Sequence, residues 1–277
     1  MYRILHREDL APGIARLRLA APLVAHRAQA GQFCIVRPTP DGERLPLTLA
    51  GWDATEGWIE IIFMAIGEST LSLLALPEGG AVADVAGPLG QPSHLSTGRV
   101  VCVGGGVGTA VLLSQVRAMA QMGAKIDVII GARNREMVIC EKDLAPLAHE
   151  LIICTDDGSY GRKGFVTAAL AECLENTKYD MCLAIGPVRM MQAVAELTRP
   201  VGLYTQVSLN PIMIDGTGMC GGCRVQVGGQ TKYACVDGPD FDGHQVDFDM
   251  LASRLGAYRT FEGERLETHK CRSGIHG

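Results

Sequence analysis

Residues 99–123 read RVVCVGGGVGTAVLLSQVRAMAQMG. Val100–Val103 is a short apolar run of the kind that forms a buried strand. Gly104, Gly105 and Gly106 follow as a tight turn, and the Ala-, Leu- and Met-rich remainder has the composition of a helix. Glycines between a strand and a helix let the backbone approach a pyrophosphate, while the helix start offers N–H groups and the positive end of its dipole. The pattern departs from G-x-G-x-x-G, because Thr109 stands where the third small residue would be. A ligand-free βα turn would use the same glycines, so the surroundings must decide.

Downstream the alternation continues. KIDVIIGARN reads as a strand, LAPLAHE as a short helix, ELIICTDDGS as a strand and FVTAALAECLENT as a helix. YDMCLAIGP, VRMMQAVAELT and VGLYTQVSLN then read as strand, helix and strand. Strands and helices alternating from Val100 to Val207 predict a doubly wound parallel sheet. Ligands of such sheets lie beyond the carboxyl ends of the strands. The nucleotide-binding candidates are therefore Gly104, Gly105, Gly106, Gly108, Thr109, Asp156, Asp157, Gly158, Gly186 and Pro187. TDDGS also reads as an ordinary capping turn. Arg133 and Arg135 stand near where NAD enzymes often place an acid, which leaves NAD(H) and NADP(H) both open.

Upstream of Arg99 the chain changes character. GQFCIVRP, RLPLTLAGWD, GWIEIIFMAI and EGGAVADVAGPLG are short strand-like runs punctuated by Pro and Gly, and they predict an antiparallel barrel. RLPLTLA puts a cation, Arg44, and a hydroxyl, Thr48, on one strand. Gly67, Ser69 and Thr70 fall at a helix start, which suits an anion. An edge strand and a plain N-cap account for these residues equally well.

The third region carries MIDGTGMCGGCRVQVGGQTKYACVDGP, residues 213–239, spaced Asp215-x4-Cys220-x2-Cys223-x11-Cys235. Plant-type [2Fe–2S] proteins space three ligands C-x4-C-x2-C with a fourth cysteine further on. Aspartate fills the first slot here and is anionic like a thiolate. Gly216, Gly218, Gly221 and Gly222 would let the backbone wrap a compact cluster and turn its N–H groups inward. A structural zinc held by the three cysteines and His244 competes with this reading. So does a cluster closed by Cys271, with Asp215-Gly216 a mere turn. A thioredoxin-like CxxC is disfavoured, because Cys223 leads into a strand.

Composition narrows the partners. Net charge is −5, no basic cluster stands out and aromatic residues make up 5%, which argues against nucleic acid or an anionic membrane surface. No apolar run approaches the length of a membrane span, and the charged N-terminus does not read as a signal peptide. Cys34, Cys102, Cys140, Cys154, Cys173 and Cys182 are scattered singly and read as reduced, buried hydrophobes, as in the cytoplasm.

The combination of RLPLT, G-x-S-T (Gly67–Thr70) and GPLG (Gly87–Gly90) ahead of a nucleotide domain resembles the ferredoxin–NADP reductase superfamily. That resemblance implies FAD on the barrel, bound along Arg44, Leu45, Pro46, Leu47 and Thr48, with Thr48 near the flavin ring and Ser69 and Thr70 near the phosphates. The family motif R-x-Y-[ST] is altered here, since Arg44 lies four residues before Thr48 and no tyrosine intervenes. The order of barrel, nucleotide domain and cysteine segment resembles the electron-transfer subunit of B-type dihydroorotate dehydrogenase. SLNPIMIDGTGMCGGCR resembles more specifically the small subunit of NADH-dependent reduced ferredoxin:NADP+ oxidoreductases. That likeness implies a [2Fe–2S] cluster on Asp215, Cys220, Cys223 and Cys235, and NAD(H) as the nucleotide. It also implies a larger flavoprotein partner with [4Fe–4S] clusters, through which ferredoxin is reached in electron bifurcation. The expected organisation is a flavin-binding barrel over 1–98, a nucleotide domain over 99–207, and a cluster domain with its tail over 208–277.

Overall fold

The computed structural model describes residues 1–257 and Gly263. Cys271, the alternative fourth cysteine of the cluster, lies outside the described residues.

Seven strands build the first region: β1 (Tyr2–Ala11), β2 (Ile14–Ala20), β3 (Phe33–Arg37), β4 (Leu45–Asp53), β5 (Trp58–Met64), β6 (Ala81–Val82) and β7 (Asp84–Leu89). Helices α1 (Pro22–Ala25) and α2 (Glu68–Leu74) interrupt them. The sheet order is β6-β1-β2-β5-β4-β3-β7, antiparallel throughout. Leu17, Leu19, Cys34, Val36, Leu49, Ile59 and Ile61 fill its interior. β1 carries little sequence signal because Ile4 is its one fully buried residue. In β3 four consecutive apolar residues, Phe33 to Val36, are all buried, the mark of a strand covered on both faces.

The second region runs β8 (Arg99–Gly105), α3 (Gly108–Gln121), β9 (Lys125–Ala132), α4 (Glu141–Leu144), β10 (Glu150–Thr155), β11 (Arg162–Lys163), α5 (Val166–Asn176), β12 (Met181–Ile185), α6 (Val188–Thr198) and β13 (Thr205–Ser208). The helix expected over LAPLAHE is displaced: α4 ends at Leu144. Pro146 lacks the N–H that would continue the helical hydrogen bonding, so the regular helix stops before it.

The third region supplies the hairpin β14 (Arg224–Val227) and β15 (Gln230–Tyr233), then α7 (Ala234–Asp237), β16 (Asp240–Asp242) and α8 (Phe248–Gly256). β16 joins the second sheet, ordered β11-β10-β9-β8-β12-β13-β16. All of its pairings are parallel except β13–β16. The doubly wound sheet thus gains an antiparallel edge strand from the C-terminal region. α5, α6 and α8 cover one face of it. α3 covers the other, together with Ile14, Ala50 and Ile62 of the barrel. Buried Glu60, 2% exposed, lies at this barrel seam beside Arg16, Arg18 and Arg117. Arg117 of α3 also donates to the Ala50 carbonyl at 2.9 Å, tying α3 to β4. Among the described residues no helix is long and apolar enough to cross a membrane.

Candidate cofactor sites

Between β8 and β12 the winding of the sheet reverses, and the glycine loop opens at that switch point. Close packing builds it. A Cβ at Gly108 would stand 2.4 Å from the Ile185 carbonyl oxygen, and one at Gly186 would stand 3.1 Å from Gly105 Cα. The loops after β8 and β12 are therefore in backbone contact, which brings Gly104–Thr109 together with Gly186 and Pro187. Gly106, at φ +56°, has open space in front of it, as backbone facing a ligand needs. Thr109 is buried, and its Oγ1 has no hydrogen-bond partner. Asp156, Asp157 and Gly158 lie at the same carboxyl edge, after β10. The Asp157 carboxylate accepts from the Ser159 N–H at 2.9 Å and from its hydroxyl at 2.6 Å, and these bonds hold it below the usual carboxylate range. Arg135 lies over the Tyr160 ring, 5.2 Å from its centroid. This cradle of close-packed glycines fits a dinucleotide pyrophosphate.

On the barrel, the pairing of β3 with β4 sets Phe33 opposite Thr48 and Ile35 opposite Pro46. Directly opposed residues share a face. Cys34, Val36, Leu45 and Leu47 point into the barrel, so Phe33, Ile35, Pro46 and Thr48 share the outside. At the start of α2, Thr70 Oγ1 accepts from the Ile66 and Gly67 N–H groups, each at 3.0 Å. Ser69 donates to the Glu43 carboxylate, so an anionic group already sits at the predicted phosphate position. A flavin whose ring lies along Thr48 and whose phosphates replace that carboxylate fits these residues.

The cysteine segment packs against the same outer face. Cys223, Ala234 and Cys235 form one apolar cluster with Phe33 and Ile35, bordered by Ala86 and Leu89 of β7. Cys223 and Cys235 are 1% and 2% exposed, and their sulfurs lie 3.1 Å apart as free thiols. Burial, with the Cys223 thiol alongside, pushes the Cys235 thiol up to about 12. Cys220 is exposed, and its sulfur accepts from the Gly222 N–H at 3.3 Å. The Asp215 carboxylate accepts from the N–H groups of Thr217 at 2.9 Å, Met219 at 3.1 Å and Cys220 at 3.0 Å. The Thr217 and Cys220 amides keep it ionised to lower pH than an ordinary aspartate.

Among the described residues no three His, Cys, Asp or Glu side chains converge to hold a single metal ion. A two-iron cluster asks for a different arrangement, four donors spread around a larger body. The Cys223 and Cys235 sulfurs touch, the Asp215 carboxylate meets the Cys220 N–H, and three thiols with one carboxylate are donor chemistry that such a cluster takes. His244, the fourth ligand of the zinc alternative, is instead engaged with Thr198 Oγ1 at 3.0 Å. Sequence reading did not single out Phe33 and Ile35, which join the flavin strand to the cysteines. Their signal was the unbroken apolar run of β3.

Comparison with known proteins matches two of these three regions. Residues 102–196 fit the oxidoreductase NAD-binding domain family, and residues 210–247 fit the iron-sulfur cluster binding domain of dihydroorotate dehydrogenase B. The chain is 44% identical to "Uncharacterized protein in adh 3'region" of Clostridium beijerinckii, over 100% of this chain and 97% of the relative. It is 42% identical to the dihydroorotate dehydrogenase B (NAD(+)) electron transfer subunit homolog of Thermotoga maritima, over 94% and 92%. A chain from the structure of NADH-dependent reduced ferredoxin-NADP oxidoreductase, which addresses flavin-based electron bifurcation, superposes with TM-score 0.91. Its identity is 39%, over 96% of this chain and 97% of that one. Phthalate dioxygenase reductase shares the fold at 17% identity and TM-score 0.59, over 82% and 85% of the two chains.

Proposed function

The chain belongs to the family of dihydroorotate dehydrogenase B electron-transfer subunits and their homologues. On that premise we propose that it passes electrons between a nicotinamide and a larger flavin- and iron–sulfur-containing partner, in NADH/ferredoxin/NADP+ electron bifurcation. The observation that carries this reading is the shared outer face of β3, β4 and β7. Thr48 of the flavin strand and Phe33 and Ile35, against which Cys223 and Cys235 pack, lie on it together.

In this reading Gly104–Thr109, Gly186 and Pro187 hold the nucleotide, with Asp156, Asp157 and Gly158 at the same edge. Leu45–Thr48, with Gly67, Ser69 and Thr70, serve FAD. Asp215, Cys220, Cys223 and Cys235 hold a [2Fe–2S] cluster. Bound flavin supplies the conversion between two-electron hydride exchange with a nicotinamide and one-electron exchange with an iron–sulfur centre. The protein sets the spacing. α3 ties the nucleotide loop to β4 through Arg117, and β3 carries the cysteine segment beside β4. The outer side of the cluster loop is open, with Ile214 58% and Met219 89% exposed, which supplies a contact surface for the partner. The nine described cysteines are free thiols, which supports a reducing, cytoplasmic setting. The modules of this reading are 1–98, 99–207 and 208–277.

The second reading, service to a dihydroorotate-oxidising partner, draws on the family match at residues 210–247. The Thermotoga maritima relative also matches nearly the full length, and the superposition at TM-score 0.91 on the ferredoxin-NADP oxidoreductase chain supports the first. Anaerobic purification from the native host tests both. The expected preparation shows flavin and iron–sulfur absorption and co-purifies with a larger subunit that carries flavin and [4Fe–4S] clusters. A partner that oxidises dihydroorotate selects the second reading. A colourless protein holding one zinc per chain refutes both.

A further inference from the structure

Three arginines from separate parts of the fold donate to backbone carbonyls of the cysteine loop. Arg44, just ahead of β4, reaches the Asp215 carbonyl at 3.2 Å. Arg224, at the start of β14, reaches the Gly221 carbonyl at 3.1 Å. Arg254 of α8 reaches the Gly222 carbonyl at 3.0 Å. The chain as a whole carries a net charge of −5, so three cations on one short loop are a local reversal.

Each contact holds a carbonyl, and a held carbonyl orients its peptide unit. At Gly221 and Gly222 both carbonyls are engaged by guanidinium groups, while the Gly222 N–H points at the Cys220 sulfur. Amides turned toward sulfur are the arrangement that stabilises a reduced iron–sulfur centre. At Asp215 the carboxylate is already fixed by three loop amides, so holding its carbonyl holds the residue. The loop's inner side cannot slide away, because a Cβ at Gly216 would meet Ile35 and Leu89 at 3.0 Å.

We propose that Arg44, Arg224 and Arg254 form an arginine collar that positions the iron–sulfur loop and raises the reduction potential of its cluster. This rests on Asp215, Cys220, Cys223 and Cys235 being the ligand set. The reduced cluster is the more negative state, and fixed positive charge favours it. Guanidinium groups suit the task, since they stay charged and present rigid donors to backbone oxygens. Arg44 is then a positioning residue of the cluster loop. The likeness to flavin-binding reductases had assigned it to FAD.

The test uses the intact protein, purified anaerobically with its partner, as wild type and as R44Q, R224Q, R254Q and the triple variant. Iron, acid-labile sulfide and flavin are assayed, and the cluster's potential is measured by redox titration followed in the visible spectrum and by EPR. The expected result is full flavin content with a lowered cluster potential in each variant and the lowest in the triple. R44K, R224K and R254K should restore most of the shift, because they keep the charge. R254K also serves if R254Q does not accumulate, since Arg254 is half-buried. Unchanged potentials across the series overturn the collar. Loss of flavin in R44Q with an unchanged cluster potential returns Arg44 to the flavin phosphates and overturns it as well. Iron-free wild-type protein defeats the ligand assignment itself, which is visible before any variant is compared.

Discussion

The glycine loop after β8 and the cysteine loop before β14 are both glycine-rich turns at candidate ligand sites, yet they are held in opposite ways. The first lies between a buried strand and a 14-residue helix, and its shape is dictated by contacts such as that of Gly108 with the Ile185 carbonyl. Regular hydrogen bonding sets that backbone without help from a ligand. The cysteine loop has no regular element of its own from Asn210 to Cys223. It leans on Phe33 and Ile35 of the barrel, on the arginines around it, and on whatever joins its four anionic donors. A site made by packing keeps its form empty, whereas a site made by side-chain ligands needs its occupant.

That contrast is open to direct attack. The largest effect is expected from Cys223→Ser or Cys235→Ser, each of which removes a buried thiol, the proposed cluster ligand, from the touching pair. Iron and sulfide content should fall close to zero, while titration with NADH should still show nucleotide binding within a few-fold of wild type. If both sites fail together, the glycine loop depends on the cluster and the distinction drawn here is wrong. Gly108→Ala probes the other side. Its new Cβ has no room against the Ile185 carbonyl, and overpacking of this kind costs about 1–3 kcal/mol. Thermal unfolding should shift down and NADH should bind more weakly, with iron content unchanged. Unaltered NADH affinity would place the nucleotide away from this loop.

The same contrast governed what could be read from residues alone. The parallel sheet was legible because strand and helix periodicities alternate cleanly from Val100, and a strand buried on both faces reads as an unbroken apolar run. The iron–sulfur character of the segment, which residues 210–247 share with a cluster binding domain, was legible because cluster chemistry restricts ligand types and intervals. β1 was hidden by the charges of HREDLA, since it buries Ile4 alone. β16 was hidden because Asp240–Asp242 contains two acids, and tertiary pairing with β13 makes it a strand. Arg224 and Arg254 gave no signal, and Arg44 was read only as a cation of the flavin strand, because a guanidinium bonded to a backbone carbonyl leaves no pattern in the sequence.

A smaller effect should appear where the two regions meet. Asp240 of β16 enters the seam between the nucleotide sheet and the cysteine segment. There it accepts from the Ser93 hydroxyl and from Gln206 Nε2, and Gln115 Nε2 donates to the same Ser93 hydroxyl at 3.1 Å. These partners are neutral, and burial pushes the carboxyl above its ordinary range. Asp240 Oδ1 and Gln115 Oε1 are both buried acceptors without partners, and a proton on the carboxyl adds the donor that such a site lacks. The folded state therefore keeps a proton at a pH where the unfolded chain has lost it. Stability is then full below the unfolded value and falls as pH rises from there to the raised folded value. One group contributes a slope of at most about 1.4 kcal/mol per pH unit. Denaturant titrations of the holoprotein at a series of pH values should show this decline in the wild type and not in Asp240→Asn, which replaces the proton-bearing oxygen with a permanent donor. Parallel curves for the two proteins would mean that Asp240 is ionised in the seam. The C-terminal region would then be held there by a charge that the neutral partners do not compensate.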